Sequence, residues 1–172
     1  DNVGASILGG LVIGSYQQNE VDMLSVSNIS FEMVAVIPDE ILLTKDSRGV
    51  LPSEFSRESA IQASSTANLL VAALLTENWK LAGKMMEQDL FHQPYRKPLI
   101  HAYQEIEGIA KSLGAFGVAL SGAGPTVLCF TEKGNGKLLE QGLRSEFTTM
   151  TTKVLKIDYI GSSVKTVERF VK

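Results

Sequence analysis

At 172 residues, with 44% hydrophobic and 20% charged positions, the chain suffices for one packed domain, or for one domain and a piece of another. Its 16 Lys+Arg against 19 Asp+Glu leave a net charge of −3 with no basic block or stripe, which argues against a nucleic-acid partner and leaves small anions open. Cys129 as the one cysteine excludes an internal disulfide and a thiolate zinc cluster and fits a reducing, cytoplasmic setting; His92 and His101 are too isolated for a metal site, and apolar stretches such as 67–75 fall short of the about 20 residues that span a bilayer. The chain opens on Asp1 rather than Met, as expected of processing or of a boundary inside a longer protein.

In chain order, residues 3–8 read as the tail of a helix with Asn2 as its cap, ending at Gly9-Gly10. Residues 11–16 and 21–26 read as paired strands around a turn at 17–20, a remnant of another sheet. The run 29–37, stopped by Pro38-Asp39, is the first strand of the main domain. A short polar helix follows within 41–51, where Thr44 and Arg48 share a face. Ser56 caps a long helix reaching about Leu75, with Glu58 near its positive end, and a second helix covers 79–88. Met85, Met86 and Phe91 read as packing residues. Pro94 and Pro98 bracket a loop holding Tyr95, Arg96 and Lys97, and a further helix runs from about 99 to 112. A hairpin of two central strands at 118–120 and 127–130, a helix at 137–147 and a strand at 151–159 complete the chain. Strand, helices, two strands, helix, strand is the order of an α+β, ferredoxin-like (split βαβ) antiparallel sheet covered by helices.

The hairpin loop Ser121-Gly122-Ala123-Gly124-Pro125-Thr126 concentrates residues chosen for their backbone. Gly122 and Gly124 permit positive φ, and successive N–H groups in such a loop can face an anion. Arg96 could clamp a carboxylate or phosphate through parallel N–H bonds, or be a surface arginine; Arg48 carries the same two readings. Lys45 and Lys97 read as solvated charges, and Cys129, inside an apolar run, as an inert buried thiol.

Four motifs in order resemble the C-terminal part of homoserine kinases of the GHMP small-molecule kinase superfamily. Ser121 to Thr126 resembles the superfamily's third, glycine-rich motif. Asp1-Asn2-Val3 with Ile7-Leu8-Gly9-Gly10 resembles the tail of a His-Pro-Asp-Asn-Val segment. Thr44-Lys45-Asp46-Ser47-Arg48 before Leu51-Pro52 resembles a Thr-Lys-x-x-Arg…Leu-Pro stretch, and Asp89 with Pro94-Tyr95-Arg96 resembles an Asp…Glu-Pro-x-Arg element, with Gln93 where Glu is common. The resemblance implies residues 1–27 as a remnant of an N-terminal nucleotide-binding domain and 28–172 as the GHMP kinase C-terminal domain. It implies ATP and Mg²⁺ as cofactors of the whole enzyme, L-homoserine as substrate, and a cytoplasmic place in threonine biosynthesis. Asn2 would contact the reacting hydroxyl, Arg48 and Arg96 would bind the amino-acid end with Arg96 on the carboxylate, Thr44 would order that pocket, and Ser121, Gly122, Ala123, Gly124 and Thr126 would line the phosphates. No metal ligand is expected in this chain, since the phosphate loop and the Mg²⁺-holding glutamate lie upstream in the family. An N-terminal domain of about 100–150 residues is therefore the expected partner, and the chain alone is expected to be inactive. A homodimer is compatible with this reading. A GHMP kinase acting on mevalonate or a sugar, and a non-catalytic ferredoxin-like binding or dimerisation module, are the alternatives.

Overall fold

The computed structural model describes residues 2–164. Two compact units divide the chain, Ser30–Lys156 on one side and Asp1–Ile29 with the segment from Ile157 on the other. Among the described residues no helix is long and apolar enough to cross a membrane.

In the unit at the start of the chain, α1 (Asn2–Leu8) leads into an antiparallel hairpin of β1 (Leu11–Gln17) and β2 (Glu20–Val26), with Leu11 opposite Val26 and Gln17 opposite Glu20. Gln18 and Asn19 both take positive φ, the geometry of a hairpin turn whose twist matches its strands. Gly9 ends α1 with φ +68, and a Cβ there would lie 2.7 Å from the Asp158 carbonyl oxygen, so only glycine fits. The Gly10 N–H donates to that same carbonyl at 2.7 Å. Here the structure corrects the expectation of a strand over 151–159. The chain turns at Asp158, whose carboxylate accepts the Ile160 and Gly161 N–H groups while its carbonyl serves Gly10.

The larger unit is a four-stranded antiparallel sheet in the order β4-β5-β3-β6, built from β3 (Phe31–Ile37), β4 (Gly117–Leu120), β5 (Val127–Glu132) and β6 (Thr151–Leu155). This is the split βαβ arrangement expected, with the first strand inside and the last beside it. One correction follows from the order. β4, expected as a central strand, pairs only with β5 and lies at the sheet edge, because this topology places its second strand outermost.

One face of the sheet, with Val34, Val36, Val118, Val127 and Cys129, packs on α6 (Tyr103–Ser112) and α7 (Gly136–Glu146) through Ile106, Ala110, Leu139 and Leu143, all at most 1% exposed. The opposite face meets α4 (Trp79–Glu87) near β4. There Trp79 stacks on Phe116 at 5.2 Å and sits edge-on to Phe31 at 6.0 Å. α3 (Arg57–Leu75) packs on α4, and its cap is as expected: Ser56 Oγ accepts the Ser59 N–H. Asn78 caps α4 in the same way through the Leu81 N–H. The first N–H of α7 donates across the fold to Glu32 Oε2 at 2.7 Å.

Two helical boundaries differ from the sequence reading. The segment between Pro94 and Pro98 is not a loop: α5 (Gln93–Arg96) and a single 3₁₀ turn (Lys97–Leu99) occupy it, and α6 begins only at Tyr103 rather than near 99. Pro94 and Pro98 each stand in the first turn of these short helices, where a missing N–H is harmless and the fixed φ favours helix.

Candidate functional site

Three segments of the larger unit meet around Arg96. The first is the β4–β5 loop. Ser121 N–H donates to the Thr126 carbonyl at 2.9 Å and Gly124 N–H to the Ser121 carbonyl at 3.0 Å, which closes the loop on itself. Gly122 has φ +58 and Gly124 φ +83, and a Cβ at Gly124 would come within 2.9 Å of Ile100 Cδ1. Both glycines are therefore required by conformation, and Gly124 also by space.

The second segment is α2 (Thr44–Gly49). Thr44 and Arg48 stand exposed one turn apart on it, and between them Ser47 is fully buried. Ser47 Oγ donates to the Ala123 carbonyl at 2.7 Å, which ties α2 to the glycine loop. The third segment is α5, which carries Arg96 as its last residue. Arg96 Nε donates to the Ser47 carbonyl and Nη1 to the Gly122 carbonyl, each at 3.2 Å. A guanidinium has five N–H donors, so three remain for a ligand.

Arg96 is aimed by Asp89 and Gln93, both part of the motif quoted above, and by Tyr103, which the sequence reading did not single out. The Asp89 carboxylate accepts three backbone N–H groups, from Phe91 at 2.9 Å, His92 at 3.1 Å and Gln93 at 2.7 Å, and so seats the first turn of α5. Gln93, in the position where the resemblance expects Glu, donates through Nε2 to the Met86 carbonyl and accepts from Tyr103 through Oε1. The buried Tyr103 hydroxyl also lies 3.2 Å from the Val118 carbonyl; burial first, and then the charges of Glu107 and Glu87 and the Cys129 thiol, raise its pKa. The signal available for α5 was Asp89 followed by a proline five residues on, a cap and first-turn pair rather than a loop marker.

Lys97, expected as a solvated charge, is instead held: its Nζ is 3.4 Å from Glu107 Oε1 and 4.6 Å above the Tyr103 ring. Met85 and Met86 are core, and Phe91 packs edge-on to Phe55 at 4.9 Å, as expected of packing residues. Cys129 is free and fully buried, and burial pushes its thiol up to about 12, which keeps it protonated and inert. Asn2 opens α1 in the other unit. Thus Arg96 is joined to α2 and to Gly122, Ser47 ties α2 to Ala123, and Arg48 and Thr44 stand exposed on α2. Among the described residues no three His, Cys, Asp or Glu side chains converge.

A family model for GHMP kinases C terminal matches residues 70–149, from α3 to just past α7. The chain belongs to the GHMP kinases. This GHMP kinase chain is 51% identical over 147 residues to homoserine kinase of Bacillus licheniformis, covering 86% of the chain and 48% of that protein. It is 45% identical over 165 residues to homoserine kinase of Bacillus pumilus, covering 96% and 53%. In fold it matches the crystal structure of homoserine kinase from Cytophaga hutchinsonii with a TM-score of 0.81 at 24% identity, over 92% of this chain and 52% of that one. The GHMP kinase chain spans about half the length of the curated relatives it matches.

Proposed function

We propose that this chain is the C-terminal half of a cytoplasmic homoserine kinase in threonine biosynthesis. The whole enzyme moves the γ-phosphoryl group of ATP to the side-chain hydroxyl of L-homoserine: the O–P bond forms, ADP leaves, and the hydroxyl proton passes to solvent, giving O-phospho-L-homoserine. The 51% identity to a homoserine kinase, extending over 86% of the chain, carries this reading. The position of Arg96 supports it, because a half-buried guanidinium with donors to spare suits the carboxylate of an amino acid better than a neutral sugar.

In this reading Arg96 binds the carboxylate and Arg48 adds charge to the amino-acid end. Thr44 orders the pocket from one turn before Arg48. Asn2 contacts the reacting hydroxyl, and residues 121–124 with Thr126 lie along the phosphates. Such transfer depends on positioning and charge more than on covalent help from side chains. Mg²⁺ would neutralise phosphate charge there, held by the glutamate that the family places in the N-terminal half. The chain alone is accordingly inactive, and the boundary near residue 28 separates the remnant of that half from the C-terminal domain.

The test is substrate profiling of the full-length parent with ATP and Mg²⁺ across homoserine, mevalonate and galactose, for wild type and Arg96→Ala. Homoserine-selective turnover that Arg96→Ala lowers about 100-fold or more in kcat/KM is expected, the loss of a charged bidentate contact and of loop anchoring together. Turnover of mevalonate or galactose instead overturns the substrate, and turnover of none favours a ferredoxin-like binding or dimerisation module.

A further inference from the structure

Two neighbouring peptide planes of the glycine loop are clamped from outside the loop. Arg96 Nη1 holds the Gly122 carbonyl at 3.2 Å, and Ser47 Oγ holds the Ala123 carbonyl at 2.7 Å. In a trans peptide the C=O and the following N–H point in opposite directions. Fixing the Gly122 carbonyl on Arg96 therefore turns the Ala123 N–H away from Arg96, and fixing the Ala123 carbonyl on Ser47 sets the Gly124 N–H, which closes the loop on Ser121 at 3.0 Å. Ser47 acts twice, since its own carbonyl accepts Arg96 Nε at 3.2 Å. One fully buried serine thus touches both the loop and the arginine.

We infer that Ser47 is a positioning residue: its hydroxyl holds the glycine loop in the posture that presents the Ala123 N–H to an anion, and its carbonyl holds Arg96 in the same frame. The inference rests on the kinase reading for the nature of that anion, a phosphate of ATP, while the clamp itself stands on the hydrogen bonds. Neither Thr44 nor Arg48, the polar residues that drew attention to α2, makes this link. The buried residue between them does.

The experiment compares wild type and Ser47→Ala in the full-length parent. The substitution removes the hydroxyl alone, leaves the Ser47-position carbonyl for Arg96, and fits a site already filled by a slightly larger side chain. Two readouts are taken: steady-state constants for ATP and homoserine, and amide hydrogen exchange of the peptide spanning 117–130. Ser47→Ala is expected to lower kcat/KM for ATP about three- to tenfold and to speed loop exchange by a similar factor, the worth of one net hydrogen bond, with KM for homoserine within about twofold. A general loss of packing would instead move both KM values and the thermal midpoint together. Unchanged loop exchange overturns the inference whatever the activity. Unchanged kinetics with homoserine turnover intact overturns it while sparing the kinase reading, and faster loop exchange in a protein that does not phosphorylate homoserine keeps the clamp and overturns its assignment to ATP.

Discussion

Gly83→Ala should unfold the chain more easily, against the direction that helix propensity dictates. Gly83 lies inside α4, where replacing glycine by alanine ordinarily stabilises by about 1 kcal/mol. A Cβ at this position would stand 1.6 Å from the Phe116 carbonyl oxygen and 2.8 Å from its carbonyl carbon, and both are backbone atoms of the residue leading into β4. To restore an ordinary C···O contact, α4 must retreat by about 1.5–2 Å. That movement lifts Met86 off Gly117 and separates Trp79 from Phe116, now stacked at 5.2 Å. Overpacking of this kind costs about 1–3 kcal/mol, and partial exposure of a methionine and a tryptophan adds about 1–2 kcal/mol. After the propensity gain, the net loss is about 1–4 kcal/mol. Urea unfolding followed through Trp79, the only tryptophan, should show a midpoint lower by about 0.5–2 M. Gly108→Ala is the control: it lies in α6 with nothing within 4 Å of its Cβ position and should gain up to about 1 kcal/mol. A midpoint for Gly83→Ala equal to or above wild type would refute the close approach of α4 to β4.

Alkali should weaken the larger unit. Burial pushes the Cys129 thiol from 9.0 up to about 12, and burial together with neighbouring carboxylates raises Tyr103 further, so the unfolded chain releases these protons at lower pH than the folded one. The stabilisation is complete below about pH 9 and is lost as pH rises toward 12; urea midpoints that stay level from pH 8.5 to 11 would contradict it. In the same state Cys129 should react with a thiol reagent at pH 8 only on unfolding, and rapid labelling without denaturant would show the burial to be wrong. Asp89→Ala strips three amides of their acceptor and should cost about 1–2 kcal/mol in urea unfolding. Because the same carboxylate seats α5, that variant of the full-length parent should also show a raised KM for homoserine, and a KM unchanged alongside lost stability would detach Asp89 from the aiming of Arg96.

The regular elements were readable because their signals are local. Ser56 before α3, Gly114 after α6, and two apolar runs flanking a glycine loop each state their role within a few residues. Edge and centre are different in kind. Val118 and Val127 look alike in sequence, both fully buried and apolar, yet only β5 has strands on both sides, and that depends on β3, far away in the chain. The helix at Arg96 was hidden because its cap sits on Asp89, outside the usual spacing, while its prolines read equally well as loop markers. Of the site, Arg96 and the glycine loop announced themselves by residue type. Ser47 did not, since a serine declares nothing until its burial and the carbonyl it reaches are known.

The place of β3 in the sheet has a consequence for biosynthesis. Its neighbours on either side are β5 and β6, so when Phe31–Ile37 leaves the ribosome neither strand it will pair with has been made, and five α-helices must be synthesised before the first of them begins at Val127. For that interval an apolar segment of high strand propensity, Phe-Glu-Met-Val-Ala-Val-Ile, travels with both hydrogen-bonding edges open. Non-local pairing of this kind is slow to form and exposed while it waits. Yield of soluble protein from a cell should therefore depend on translation speed and chaperone supply through this one strand, more than on the stability of the finished fold.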